Sequence, residues 1–196
     1  MPRYASRSWR SFDPDAVVSR AVVRVAAVLP RRVLGLDPGS IRMGFGVIDC
    51  NAGGEVHVAS GCIRSAGADL AGRLRNIHEQ VLAIVMQFEP DEIAIERVFM
   101  HRNADSALKL GQARGAALSA AVAQGAAVYE YAPRAIKLAV VGSGAADKAQ
   151  VSRMVQVLLA IGEPATADIS DALAIALCHV QNRRAASRLA LLESTR

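Results

Sequence analysis

The chain has 196 residues, 52% hydrophobic and 21% charged, the composition of an ordinary soluble globular protein with room for one full-sized core. Its net charge of +5 is misleading as a sign of a polyanionic partner: residues 1–32 hold seven Arg against two Asp, while residues 33–196 hold 16 basic and 16 acidic residues. No apolar run approaches the roughly 18 residues of a membrane span. Cys50, Cys62 and Cys178 and the four scattered histidines follow no zinc-ligand spacing, which argues against a zinc site and points to reduced thiols in a cytoplasm.

Residues 1–32 read as a basic extension, either a disordered tail or the product of a start assigned too far upstream. Order is expected from Val33. Val33–Asp37 is a short apolar strand that ends in the turn signal Asp37-Pro38-Gly39-Ser40. Met43–Asp49 and Val56–Ile63 read as two further strands around a turn at Asn51–Gly54, so the first three strands form an antiparallel meander. Asp69 can cap a helix in which Leu70, Leu74, Ile77, Val81, Ile84, Val85 and Phe88 recur along one face, and Pro90 ends it. Glu92–Phe99 follows as a strand, with Ile93 and Ile95 on one side and Ala94 and Glu96 on the other.

Asp105–Gln124 reads as a helix of Ala, Gly and Leu, and Ala127–Tyr131 as a fifth strand. Pro133 opens a short helix to about Val141, Asp147 caps another to about Ile161, and a last helix runs from about Ala167 through Val180. The expected domain is therefore 33–182, with 183–196 a basic tail. A strand meander followed by strands alternating with helices implies a five-stranded mixed sheet flanked by helices, an α/β chain with the element order of the ribonuclease H-like fold.

Four carboxylates stand out. Asp37 sits at the carboxyl end of the first strand, and Glu96 lies late in a strand on the side expected to face helices. If strands one and four are neighbours, both acids fall at the end of the sheet where open sheets place their sites. Asp168 and Asp171, three residues apart at the start of the last helix, share a face. Taken singly, each has a structural reading as a turn cap or as favourable charge near a helix N-terminus. Four together would repel unless cations neutralised them, and oxygen-only ligands suit magnesium or manganese. Two such ions suit phosphodiester hydrolysis. Between Arg102 and Arg153 seven cations face three acids, a local basic excess.

The stretches Leu34–Ser40, Ser60–Arg64, Ala94–Met100, Asn103–Gly115 and Ala167–Ala174, in order and in register from about Val33 to about Val180, resemble the RuvC-type Holliday junction resolvases. That resemblance implies metal-binding carboxylates at Asp37, Glu96, Asp168 and Asp171, with two Mg2+ ions per subunit and Mn2+ as a substitute. It implies basic catalytic residues at Lys137 and Lys148, and a base-stacking aromatic at Phe99. Arg102, Asn103 and Arg114 are the further candidates for DNA contact. It implies a cytoplasmic homodimer, paired through the helix Asp105–Gln124, that makes symmetric nicks in four-way junction DNA alongside the RuvA–RuvB branch-migration complex. Arg97 departs from the pattern, which usually has Gln there.

Two other classes compete. Asp37-Pro38-Gly39-Ser40 with Gly44 and Gly46 looks like the first phosphate loop of an actin-like ATPase or sugar kinase, but such proteins carry two copies of the domain and one copy is visible here. A non-catalytic junction-binding protein needs the basic cluster and not the four acids.

Overall fold

The computed structural model describes residues 32–51, 53–97, 104–164 and 166–194. Phe99, Arg102 and Asn103 lie outside them. Five strands, β1 (Arg32–Asp37), β2 (Arg42–Asn51), β3 (Gly54–Arg64), β4 (Glu92–Glu96) and β5 (Ala127–Tyr131), form one sheet in the order β3-β2-β1-β4-β5. The β1–β2 and β2–β3 pairs are antiparallel, whereas β1–β4 and β4–β5 are parallel. The mixed sheet matches the expectation. β1 opens one residue earlier than expected, at Arg32, whose main-chain N–H donates to Asp91 and whose guanidinium grips Asp49.

Five α-helices cover the sheet: α1 (Leu70–Phe88), α2 (Ala104–Ala121, continued by a 3-10 turn at Val122–Gln124), α3 (Pro133–Val141), α4 (Lys148–Leu159) and α5 (Ala167–Ser194). Local chemistry sets their ends. Asp69 accepts from Gly72 N at the start of α1, and Asp147 and Gln150 form a reciprocal capping box at the start of α4. The alternation along the strands divides the core. Leu34, Leu36, Ile93 and Ile95 pack under α1 and α2, while Val33, Ile48 and Ala94 pack under α3, α4 and α5. With few aromatics, alanine fills much of this space, and Ala113, Ala117, Ala120, Ala172, Ala174 and Ala176 are all buried.

α5 lies at the centre of its layer. Ile169 through Val180 is buried apart from half-buried Asp171, as befits a helix apolar on nearly every side. The helix does not stop near Val180 but continues to Ser194. The continuation is anchored by ion pairs from Arg183 to Glu92 and from Arg184 to Glu55. It approaches the sheet closely because three facing residues lack a Cβ. A Cβ on Gly35 would meet Ala172 O at 2.1 Å, one on Gly44 would meet Asp168 O at 1.9 Å, and one on Gly46 would meet Leu173 Cδ2 at 2.6 Å. Gly44 and Gly46 are therefore a seat for α5.

Candidate active site

β1 and β4 are parallel neighbours with Leu36 opposite Ile95, so the next residues, Asp37 and Glu96, stand side by side at their carboxyl ends. Asp37 follows Val33 and Gly35 onto the α5 side, and Glu96 follows Ala94 there. The glycine seat brings the N-terminal end of α5, with Asp168 in its first turn and Asp171 in the next, down to the same end. Asp37, Glu96, Lys137, Lys148 and Asp171 line one cleft of about 290 Å³, floored by Ile136, Val151 and Ile175. Asp168 is turned toward β3, where its Oδ2 accepts from the Cys62 thiol at 3.9 Å.

The acids interact electrostatically. Burial, reinforced by Glu96, Asp171 and Asp168, pushes the Asp37 carboxyl up to about 7, against a partial counterweight from Lys148. Burial and Asp171 also raise Glu96, while Lys148 and Lys137 pull it back. The Lys148 ammonium donates to Asp171 Oδ2 at 2.7 Å, and that bond raises the lysine so that it stays charged. The lysine is thus the local counter-charge of the acidic end.

Among the described residues, no three acidic, histidine or cysteine side chains are already gathered closely enough to hold a metal ion. The donor set nonetheless fits a hard divalent cation. It is made of carboxylate oxygens, and burial together with the neighbouring acids holds Asp37 and Glu96 toward the neutral form.

A second group of basic residues lies beyond β4. Arg114 of α2 donates from Nε to the Glu96 backbone carbonyl at 3.4 Å and places Nη2 2.9 Å from Glu130 of β5. Arg97 is more exposed and lies 3.9 Å from the same carboxylate. The sequence reading missed the Arg114–Glu130 link and the Cys62 contact. It missed as well a buried network along β4 and β5, where Tyr131 and Glu92 bond the two ring nitrogens of His179 at 2.7 and 2.6 Å. The position of Cys62 within the Ser60–Arg64 stretch was the one hint available.

The family model described as crossover junction endodeoxyribonuclease RuvC matches residues 33–179. A protein of that name from Methylococcus capsulatus is 56% identical over 158 residues, covering 81% of this chain and 95% of the relative. One from Vibrio vulnificus is 53% identical over 158 residues, covering 81% and 91%. Among solved structures, Thermus thermophilus RuvC aligns with a TM-score of 0.73 at 33% identity, over 80% of this chain and 97% of that one. The same protein in complex with Holliday junction substrate aligns with a TM-score of 0.72 at 31% identity, over the same shares. The yeast mitochondrial Holliday junction resolvase Ydc2, at 12% identity and a TM-score of 0.61 over 81% of this chain and 83% of that one, shares the fold.

Proposed function

The chain belongs to the RuvC family of crossover junction endodeoxyribonucleases, and from that premise we propose that it resolves Holliday junctions by hydrolysing phosphodiester bonds during recombination and repair. The observation that carries this reading is the pairing of β1 with β4. It sets Asp37 beside Glu96 in a cleft that also holds Asp171 and two lysines.

Asp37, Glu96, Asp168 and Asp171 are the residues that would hold magnesium, two ions per subunit with manganese as a substitute. Magnesium so bound supplies the charge neutralisation and water activation that phosphodiester hydrolysis requires. The side chains of this protein do the rest. Lys148 donates to Asp171 and holds a positive charge over the cleft into which a phosphate must descend, and Lys137 brings a second cation to the same wall. Ile136, Val151 and Ile175 give the cleft an apolar lining beside the carboxylates. Phe99, Arg102 and Asn103 are proposed to touch the DNA, the first by stacking on an unpaired base.

A four-way junction has approximate two-fold symmetry, so symmetric nicks call for two copies of this site related by the same axis. The homodimer is proposed to form through α2, which offers exposed Leu108 together with Gly111 and Gly115, both open to solvent on the Cβ side. A RuvA–RuvB partnership and a cytoplasmic location complete the proposal. No helix among the described residues is long and apolar enough to cross a membrane. The kinase or ATPase alternative loses its support because Gly44 and Gly46 seat α5. Incubating the protein with a synthetic four-way junction and magnesium tests the reading. Paired nicks are expected, and an intact junction in the presence of a folded protein would refute it.

A further inference from the structure

We propose that Arg114 is a positioning residue that ties α2 to the end of β4 and so fixes the Glu96 carboxylate; this rests on the nuclease reading above. The β1–β4 ladder ends at Leu36 and Ile95, one residue short of Glu96. Beyond it the strand is held by β5, where Glu96 pairs with Tyr131 and Arg97 N donates to Tyr131 O, and by Arg114. The guanidinium reaches across from α2, donates to the Glu96 carbonyl through Nε and meets Glu130 through Nη2. One planar group therefore links a helix and two strands.

Charge and exposure separate this role from DNA contact. The Arg114 side chain is 18% exposed and faces a carboxylate, whereas Arg97, 55% exposed, is the more open cation of the pair. A guanidinium already bound to Glu130 has little charge to offer a phosphate. The arrangement also needs arginine in particular. Nε donates to one strand while Nη2 sits at ion-pair distance from a carboxylate on another, and a lysine ammonium on its single flexible stem does not reproduce that fork.

The position on α2 gives the link a further consequence. Arg114 directly precedes Gly115 on the helix whose exposed side carries Leu108 and Gly111. Anything that shifts α2, the pairing of two copies included, is transmitted to the backbone of a metal-binding carboxylate.

The test compares wild type, Arg114→Lys, Arg114→Gln and Glu130→Gln as full-length proteins on a synthetic four-way junction. In Arg114→Lys the cleavage rate at saturating junction should fall roughly 10–100-fold, the range for residues that orient a metal ligand. Its junction affinity and the salt dependence of that affinity should stay within about twofold. Arg114→Gln should lose as much and Glu130→Gln less. Independently of cleavage, the rise in melting temperature on adding Mg2+ alone should shrink in both arginine variants. Full-rate cleavage with an unchanged Mg2+ response in Arg114→Lys would overturn the proposal. So would weaker binding with a salt slope reduced by about one and an unchanged saturated rate, the mark of a lost phosphate contact. Should Arg114→Gln fail to fold, Arg114→Lys and Glu130→Gln still decide the matter. A folded wild type that cuts no junction would instead refute the nuclease reading.

Discussion

Lys148 Nζ sits 2.7 Å from Asp171 Oδ2, so an ammonium from the first residue of α4 closes onto the N-terminal end of α5 at the mouth of the acidic cleft. This contact is where the electrostatics of the site can be perturbed most selectively. Lys148 pulls down the pKa of Asp37 and of Glu96, and it is itself an exposed cation facing the cleft. Lys148→Met should lower the cleavage rate roughly 10²–10³-fold, the cost of removing one preorganised charge from a phosphoryl-transfer site. Junction affinity should change little, because the many remaining phosphate contacts dominate it. Single-turnover cleavage beside a binding titration separates the two. A loss confined to affinity would remove Lys148 from the chemistry.

Asp37 couples function to stability. Its folded pKa of about 7 lies above the ordinary 3.8, so between those values the folded protein holds a proton that the unfolded chain releases. The metal-free protein therefore loses stability through this group as pH rises from about 4 to 7. Asp37→Asn removes that dependence. In a chelator at pH 8 the variant should melt about 2–4 °C or more above wild type, which corresponds to roughly 1 kcal/mol in a protein of this size. At pH 5 the difference should narrow. The same variant should bind junctions and not cut them. An equal difference in melting temperature at both pH values would show that Asp37 is not held toward its neutral form.

Gly44 sets the height of α5. A methyl group there would press on the Asp168 backbone carbonyl, which cannot yield without moving the turn that carries Asp168 and Asp171. Gly44→Ala should destabilise the protein by about 1–3 kcal/mol, the usual cost of overpacking. It should also reduce cleavage more than the stability loss explains. Denaturant melts and cleavage at low temperature, where the variant stays folded, distinguish these effects. Wild-type cleavage in a destabilised Gly44→Ala would mean that the helix height is not critical.

The parts of the fold that could be read in advance were those written in local periodicity. The α1 stripe of Ile77, Val81, Ile84 and Val85 and the Asp69 and Asp147 caps appear as expected. Asp37 and Glu96 were legible because each ends an apolar strand, and their adjacency needed only the correct strand order. Contacts between distant residues were not legible. Glu92 and His179 are 87 residues apart, and nothing local distinguishes a buried histidine with two partners from a scattered one. The same limit made Gly44 and Gly46 look like a phosphate loop, since a glycine that admits a ligand and one that admits a helix are written alike. The end of α5 was missed for a related reason. Past Val180 the apolar pattern fades, and the helix is continued by Arg183 and Arg184 pairing with Glu92 and Glu55 from other elements.

The match to the family begins at residue 33, and the hydrogen bonds of Arg32 belong to the sheet. A chain that starts at Arg32 keeps the whole described sheet, so it should hold the melting temperature of the full protein to within about 2 °C and its cleavage rate to within about twofold. Calorimetry of the two forms checks this. A loss of several degrees would show that residues 1–31 contribute to the fold.

Dimerisation through α2 makes the last expectation. The buried side of the helix is alanine, at Ala113, Ala117, Ala120 and Ala121. The other side carries Leu108 at 61% exposure, and a Cβ added at Gly111 or Gly115 would meet nothing within 4 Å. The two glycines are therefore not required by packing within one copy. A flat strip of small residues bordered by an exposed leucine suits the close approach of a second backbone. Gly115→Leu fills that strip without touching the protein's own core, so the monomer should keep its melting temperature at low concentration, or gain slightly from replacing a glycine in mid-helix. Its dimer should dissociate at concentrations where wild type stays paired. The two nicks on one junction should then become independent events, with singly nicked product accumulating. Sedimentation across a concentration series, run beside a product assay that separates singly from doubly nicked junctions, provides the test. A Gly115→Leu protein that sediments as wild type and still cuts in pairs would place the dimer axis on another face.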